Sequence, residues 1–282
     1  MKKILVTGAN GQLGSEMRLL AEEHKDFEYF FTDVAELDIC DEKAVMDFVS
    51  AHQIDGIVNC AAYTAEDNVE LCDKLNRVAP GYLAKAVQSR GGWLVQVSTD
   101  YVFDGTAHIP YREEDTPCPN SVYGSTKLGG EQEALKYCPN TMIIRTAWLY
   151  SSFGNNFVKT MIRLGQEKET LGVIFDQIGT PTYARDLAQA IFVALEKGIV
   201  PGIYHFSNEG VCSWYDFTKA IHRIAGIKSC NVKPIATDDY PTLAARPPYS
   251  VLDKTRIKKT YGITIPHWEE SLVDCINRLQ NN

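Results

Sequence analysis

A phenol and an ammonium stand four positions apart in Tyr123-Gly-Ser-Thr-Lys127. On a helix that spacing puts both on one face, one turn from each other. A phenol alone gives up its proton near pH ~10, and a neighbouring cation draws that value toward neutrality. Such a tyrosine can exchange a proton with a carbonyl or an alcohol. Two surface side chains at helical spacing look the same, so the companions of the pair decide. One is Ser98-Thr99, hydroxyls that follow the apolar run Trp93–Val97. Another is Thr7-Gly-Ala-Asn-Gly-Gln-Leu-Gly14 after the run Ile4–Thr7. There Gly8 permits a tight turn, Gly11 lets backbone N–H groups approach a pyrophosphate, and Gly14 lets helix and strand pack closely. A helix that opens at such a loop offers free donors and a positive dipole end to phosphates. Asp33 stands about 20 residues beyond, where a carboxylate can accept from an adenosine ribose and repel a 2′-phosphate. No arginine follows it closely, which leans toward NADH or toward use of both cofactors.

These residues need strands and helices to position them. Short apolar runs at Ile4–Thr7, Phe27–Thr32, Gly56–Asn59, Trp93–Ser98 and Met142–Arg145 read as strands. Helical stretches at Leu13–His24, Asp41–Ala51, Glu70–Arg90 and Ser121–Lys136 separate them. Apolar runs without alternation suit strands covered on both faces. Strand–helix alternation predicts an α/β fold with a doubly wound parallel sheet, Rossmann-like. Residues 1–150 form the expected dinucleotide-binding domain, with 184–208 completing it. Residues 151–282 are expected to be mainly a smaller substrate-binding lobe, with helices at Asn156–Glu167, Ala184–Lys197 and Glu269–Leu279 and a strand at Gly202–Phe206. Ser213-Trp-Tyr-Asp216 opens another helix with a capping box in which Asp replaces the usual Glu. The Pro-rich segment Asp239–Pro248 is a loop.

The 282 residues are 45% hydrophobic and 23% charged, enough for a full core. A net charge of -8 argues against nucleic acid as the main partner. No apolar stretch approaches the roughly 20 residues needed to cross a bilayer, and the N-terminal run is too short for a signal peptide. A cytoplasmic chain without membrane partners is expected. None of the eight cysteines forms a C-x-x-C, so buried, reduced thiols are the expectation.

The chain resembles the extended short-chain dehydrogenases/reductases through the Gly8/Gly11/Gly14 loop, Ala61-Ala62, Ser98-Thr99 and Tyr123/Lys127. Within them it is similar to the dTDP-4-dehydrorhamnose reductase family. The resemblance rests on Gly11-Gln-Leu-Gly14, Ala65-Glu-Asp-Asn-Val-Glu70, Ser98-Thr-Asp-Tyr-Val-Phe-Asp-Gly105, Val122-Tyr-Gly-Ser-Thr-Lys-Leu-Gly129 and Ile144-Arg-Thr-Ala-Trp-Leu-Tyr150. Asn155-Asn-Phe-Val-Lys-Thr-Met161, Asp176-Gln-Ile-Gly-Thr-Pro-Thr182, Gly202-Ile-Tyr-His205 and Ala245-Arg-Pro247 match as well.

The resemblance implies NADPH or NADH as cofactor and a dTDP-sugar as substrate, its C4 keto group reduced to give dTDP-L-rhamnose for polysaccharide synthesis. It implies that Gly11, Gln12 and Leu13 hold the pyrophosphate, that Asp33, Asp38 and Ile39 contact the adenosine end, and that Ala62, Tyr63 and Thr64 contact the middle of the cofactor. Tyr123 becomes the proton donor. Lys127 becomes the ribose ligand that lowers the tyrosine pKa, and Thr99 tunes the transfer. Thr99, Asp100 and Trp148 face the sugar nucleotide. Arg246 in its Pro-flanked loop suits a diphosphate, and equally a solvated surface. Trp148 also suits a core. Some members are magnesium-dependent, with carboxylates at a dimer interface. Glu16 corresponds to one of these, but Ala184-Arg185-Asp186 stands where an acidic pair belongs. Glu16 is therefore read first as a solvated helix carboxylate and second as a weak candidate ligand for Mg²⁺, no metal site is assigned, and a homodimer stays open. Thr99-Asp100-Tyr101 lacks the glutamate of a 4,6-dehydratase. A 4-epimerase, or a regulatory subunit resembling that of methionine adenosyltransferase, stays open beside the reductase.

Overall fold

The computed structural model describes residues 1–64, 68–240 and 246–281. Part of three quoted segments lies outside the described residues: Ala65–Asp67 of Ala65–Glu70, Pro241–Ala245 of the Pro-rich loop, and with the latter Ala245 of Ala245-Arg-Pro247. Strands and helices alternate through β1 (Lys2–Thr7), α1 (Gln12–Leu20), β2 (Phe27–Thr32), α2 (Glu42–His52), β3 (Gly56–Asn59), α3 (Val69–Asp73), α4 (Ala79–Gln88), β4 (Trp93–Thr99), α5 (Val122–Tyr137) and β5 (Thr141–Thr146). There follow β6 (Leu149–Tyr150), α6 (Phe157–Glu167), β7 (Thr170–Ile174), β8 (Ile178–Gly179), β9 (Thr182–Tyr183) and α7 (Ala184–Lys197). The chain ends with β10 (Gly202–His205), β11 (Cys212–Ser213), α8 (Trp214–Ile224), β12 (Asn231–Ile235), α9 (Thr255–Tyr261) and α10 (Trp268–Asn281).

Six strands form one parallel sheet in the order β2-β1-β3-β4-β5-β10. Successive strand residues point to opposite faces. Ile4, Val6, Val95, Met142 and Ile144 pack with α1 and α7 through Met17, Leu187 and Ile191. Leu5, Ile57, Leu94 and Ile143 face the other way, toward Val45 of α2 and Leu83 and Val87 of α4. Covering both faces is why the strands read as unbroken apolar runs. Each such side chain taken out of water stabilises by roughly 1.5–3 kcal/mol before entropy is counted. The sheet changes winding direction between β1 and β3, which opens a crevice at their carboxyl ends. A separate core of Tyr150, Val158, Phe217, Ile221, Trp268 and Leu272 lies among α6, α8 and α10.

The helical stretch after Val69 is not one regular helix. A π-helical turn over Lys74–Val78 joins α3 to α4. Pro80 has no N–H to offer the carbonyl of Asn76, so the turn widens there. That carbonyl lies where a Cβ on Gly130 would be, 2.0 Å away, so α5 packs directly on it. The capping box of α8 forms as read: Ser213 Oγ accepts from Asp216 N at 3.0 Å and Asp216 Oδ2 from Ser213 N at 3.1 Å. The cysteines match expectation in part: all eight are free and Cys72, Cys138, Cys212 and Cys275 are buried, but Cys40, Cys60 and Cys230 are half-buried and Cys118, in a loop, is exposed. Among the described residues no helix is long and apolar enough to cross a membrane.

Candidate active site

β1 ends at Thr7 and the chain turns at Gly8, whose φ is +63°. A Cβ there would lie 2.7 Å from the Ala61 backbone. At Gly14 it would lie 2.3 Å from Gly8 O. Glycine is required at both, because the loop runs against the end of β3 and α1 runs against the loop. Gly11 caps α1 without a side-chain hydrogen bond, which leaves the first-turn N–H groups for a ligand. Gly11, Gln12 and Leu13 line the crevice, and Gln12 Oε1 is buried without a partner.

Two cavities, of about 840 and 580 Å³, meet at Gly11, Cys60, Ala61 and Ala62. The first is walled by Asp33, Val34, Leu37, Asp38 and Ile39. Asp33 is held in place by its own loop: Oδ2 accepts from Asn10 N and Oδ1 from Val34 N, each at 2.9 Å. Arg18 on α1 donates to Asn10 Oδ1 at 3.5 Å, so an arginine does reach this end, from a helix upstream of Asp33. The glycine cradle, the uncapped helix end and the carboxylate beyond them fit a dinucleotide. Thr64 lines the second cavity. The side chain of Tyr63 lines neither cavity, and its backbone is clamped by Asn76 at 2.9 and 2.8 Å.

Thr99, Asp100, Tyr123 and Lys127 meet in the second cavity, from the end of β4, the turn after it and the first turns of α5. Ser121 starts α5 by accepting from Gly124 N at 3.0 Å. Lys127 Nζ donates to Val97 O at 2.6 Å. Thr99 Oγ1 accepts from Tyr101 N at 3.2 Å, donates to Asp100 Oδ1 at 3.0 Å and is hydrogen-bonded to the Tyr123 phenol. The expected downward pull of Lys127 on this phenol is overturned. Shielding from water raises the Tyr123 pKa, and Thr99, not Lys127, opposes the rise. The same shielding disfavours charge on Lys127 and brings its pKa down to about 8, against the pull of Glu131. A phenol that keeps its proton suits a donor.

Ser98 lines the cavity, but its hydroxyl donates to Glu131 Oε1 at 2.5 Å. Glu131 also takes a two-pronged bond from Arg145 at 2.9 and 2.7 Å, both residues being 2% exposed. This pair ties α5 to β4 and β5 beneath Lys127, and the reading of the sequence missed it. Glu131 lies one turn beyond Lys127, a spacing that was there to be seen.

The far wall carries Trp148 and Arg246. Trp148 has a φ of +48°, a strained value for a bulky residue, and stacks on Trp214 with centroids 3.5 Å apart. Arg246 is exposed and holds its guanidinium 5.9 Å from the centroid of the Trp214 ring. Asp100 is buried, and desolvation raises its pKa to about 6 while Ser250 and Thr99 oppose the rise. Its Oδ2 has no partner, which fits an acceptor for a ligand hydroxyl. Gly154 and Asn155 complete the wall; Asn155 opens the quoted Asn155–Met161 motif, which was given no place in the site, and Gly154 lies just before it.

Glu16 is not the solvated carboxylate expected, being 0% exposed. Ser151 Oγ and Arg278 Nη1 donate to it at 2.7 and 3.2 Å. Asp186 is tied to Asn208 Nδ2 and Ser271 Oγ at 2.6 and 2.5 Å. Hydrogen-bond donors and a guanidinium around Glu16, and an Asp186 Oδ2 that already accepts two bonds, do not fit a divalent cation, which needs a shell of oxygen ligands.

The family profile described as "RmlD substrate binding domain" matches residues 1–281. The dTDP-4-dehydrorhamnose reductase of Aggregatibacter actinomycetemcomitans is 41% identical, covering 96% of this chain and 97% of its own. A crystal structure of a dTDP-4-dehydrorhamnose reductase from Clostridium acetobutylicum has a TM-score of 0.95 at 44% identity, covering 99% of both chains. That of the Bacillus anthracis enzyme, in complex with NADP, has a TM-score of 0.93 at 39% identity, covering 99% of this chain and 100% of its own.

Proposed function

Because the chain belongs to the RmlD substrate binding domain family, we propose that it is an NAD(P)H-dependent reductase of a nucleotide-sugar ketone. The substrate in this reading is dTDP-4-dehydro-L-rhamnose and the product dTDP-L-rhamnose. The observation that carries it is the meeting of Thr99, Tyr123 and Lys127 in one cavity that joins the dinucleotide crevice.

The bound cofactor supplies the hydride to C4. Gly11, Gln12 and Leu13 hold its pyrophosphate, Asp33 its adenosine ribose, and Lys127 the ribose next to the nicotinamide. Tyr123 gives its proton to the oxygen forming at C4. Thr99, now donating to Asp100, turns its hydroxyl to the phenolate left behind and steadies it. Asp100 takes a sugar hydroxyl, Trp148 packs on the sugar and Arg246 pairs with the diphosphate. Residues 151–282 act mainly as the substrate lobe.

The test is oxidation of NADH and of NADPH by purified protein, with dTDP-4-dehydro-L-rhamnose and its UDP counterpart as alternative substrates. Turnover of the dTDP-sugar is expected. No oxidation of either cofactor, with both bound, defeats the reading. A cofactor that stays bound through purification and interconversion without net oxidation would point to an epimerase.

A further inference from the structure

We propose that Glu16 is a positioning residue, an internal latch that fixes the cofactor-binding end of α1 to the loop walling the cleft, with arginines in place of a divalent cation. Glu16 lies one turn along α1 from Gln12. Its Oε1 accepts from Ser151 Oγ at 2.7 Å. Ser151 Oγ accepts from Phe153 N at 3.1 Å, and Ser151 O accepts from Asn156 Nδ2 at 2.7 Å. The carboxylate thereby sets the turn that presents Gly154 and Asn155 to the cavity. The loop closes directly on α1, since a Cβ on Gly154 would sit 3.1 Å from Gln12 Cγ.

Glu16 Oε2 faces Arg278 Nη1 at 3.2 Å and Arg185 Nη1 at 3.9 Å. Arg278 is itself braced, donating to Tyr183 Oη at 3.0 Å. A buried carboxylate must be matched by charge and hydrogen bonds. Here two guanidinium groups from α7 and α10 do so. The latch thus ties α1 to the cleft wall, to α7 and to the last helix.

The inference rests on the dinucleotide part of the reading above. The test uses the whole chain, with NADPH binding read by its fluorescence and unfolding read by heat. Binding and melting are expected to be the same in EDTA and in excess Mg²⁺. Glu16→Gln and Arg278→Met are expected to raise the NADPH dissociation constant about tenfold through misplacement of the loop. Added Mg²⁺ leaves that loss in place, and Arg278→Lys recovers most of the affinity. Loss of binding or a lower melting temperature of the unaltered chain in EDTA overturns the inference. So does NADPH affinity in both variants equal to that of the unaltered chain. If the chain binds no NADPH at all, the dinucleotide reading fails separately and the latch is judged by unfolding. The double variant Glu16→Gln/Arg278→Met should then lose no more than the worse single one, and additive losses overturn it.

Discussion

Tyr123→Phe removes one hydroxyl and little else. The ring stands edge-on to Tyr101, centroids 5.5 Å apart, and phenylalanine keeps that contact. Thr99, the phenol's partner, retains its bonds to Asp100 and to Tyr101 N. Thr99 keeps two of its bonds, so the folding cost is expected near the net worth of one hydrogen bond, about 1 kcal/mol. The reaction loses its general acid, worth about 10²–10⁴ in rate. That equals about 3–5 kcal/mol of barrier. The assay follows oxidation of the reduced nicotinamide at saturating sugar nucleotide, with cofactor affinity measured beside it. Affinity should hold within about twofold while kcat falls by two decades or more. A kcat within about fivefold of the unaltered chain, with cofactor bound, refutes Tyr123 as donor. Shielding raises the phenol's pKa, so kcat should also show no loss from its ionisation below about pH 9.

Asp100 is predicted to cost stability once ionised. Its pKa of about 6 in the folded chain exceeds that of a free carboxylate, so the folded state binds the extra proton. Stability should fall as pH rises from about 4 to 6, by at most about 3 kcal/mol, and stay reduced above that window. Asp100→Asn should flatten this slope and raise the melting temperature at neutral pH while lowering kcat/KM; an unchanged slope refutes the assignment. Lys127, with its pKa near 8, is charged less readily folded than unfolded. Stability should therefore rise with pH between about 8 and 10, while cofactor affinity weakens as the ammonium is lost through about pH 8. Affinity that stays flat across that pH rules out a charged Lys127 at the ribose. Asp33→Ala should weaken NADH about tenfold more than NADPH, since only the ribose hydroxyl loses its acceptor. Equal losses mean that Asp33 does not read the ribose.

The sheet was legible because its signal is local. Phe27–Thr32 and Gly56–Asn59 are strands with the bounds read from the sequence, each an apolar run flanked by turn or helix residues. The glycine loop and the Tyr123/Lys127 face were legible for the same reason, since spacing within one element fixes them. What stayed hidden depends on distant partners. Glu16 looks like any helix carboxylate until Arg278 arrives from 262 positions away. The pKa of Tyr123 could not be read from Lys127, because the surrounding protein, not the nearest charge in sequence, dominates it. β7 and β12 pair with each other across 60 residues, and neither run announces itself alone.

Two indoles lying face to face, Trp148 and Trp214, are separated by 3.5 Å and tilted by only 10°. At that range their electronic transitions couple, so the pair should give the chain a paired positive and negative band in ultraviolet circular dichroism. Trp148 owes its pose to a backbone angle that few tryptophans adopt, at the cleft wall itself. A ligand that presses on that wall and tilts one ring against the other should change the band, which would make occupancy of this cavity an optical signal readable without label or turnover.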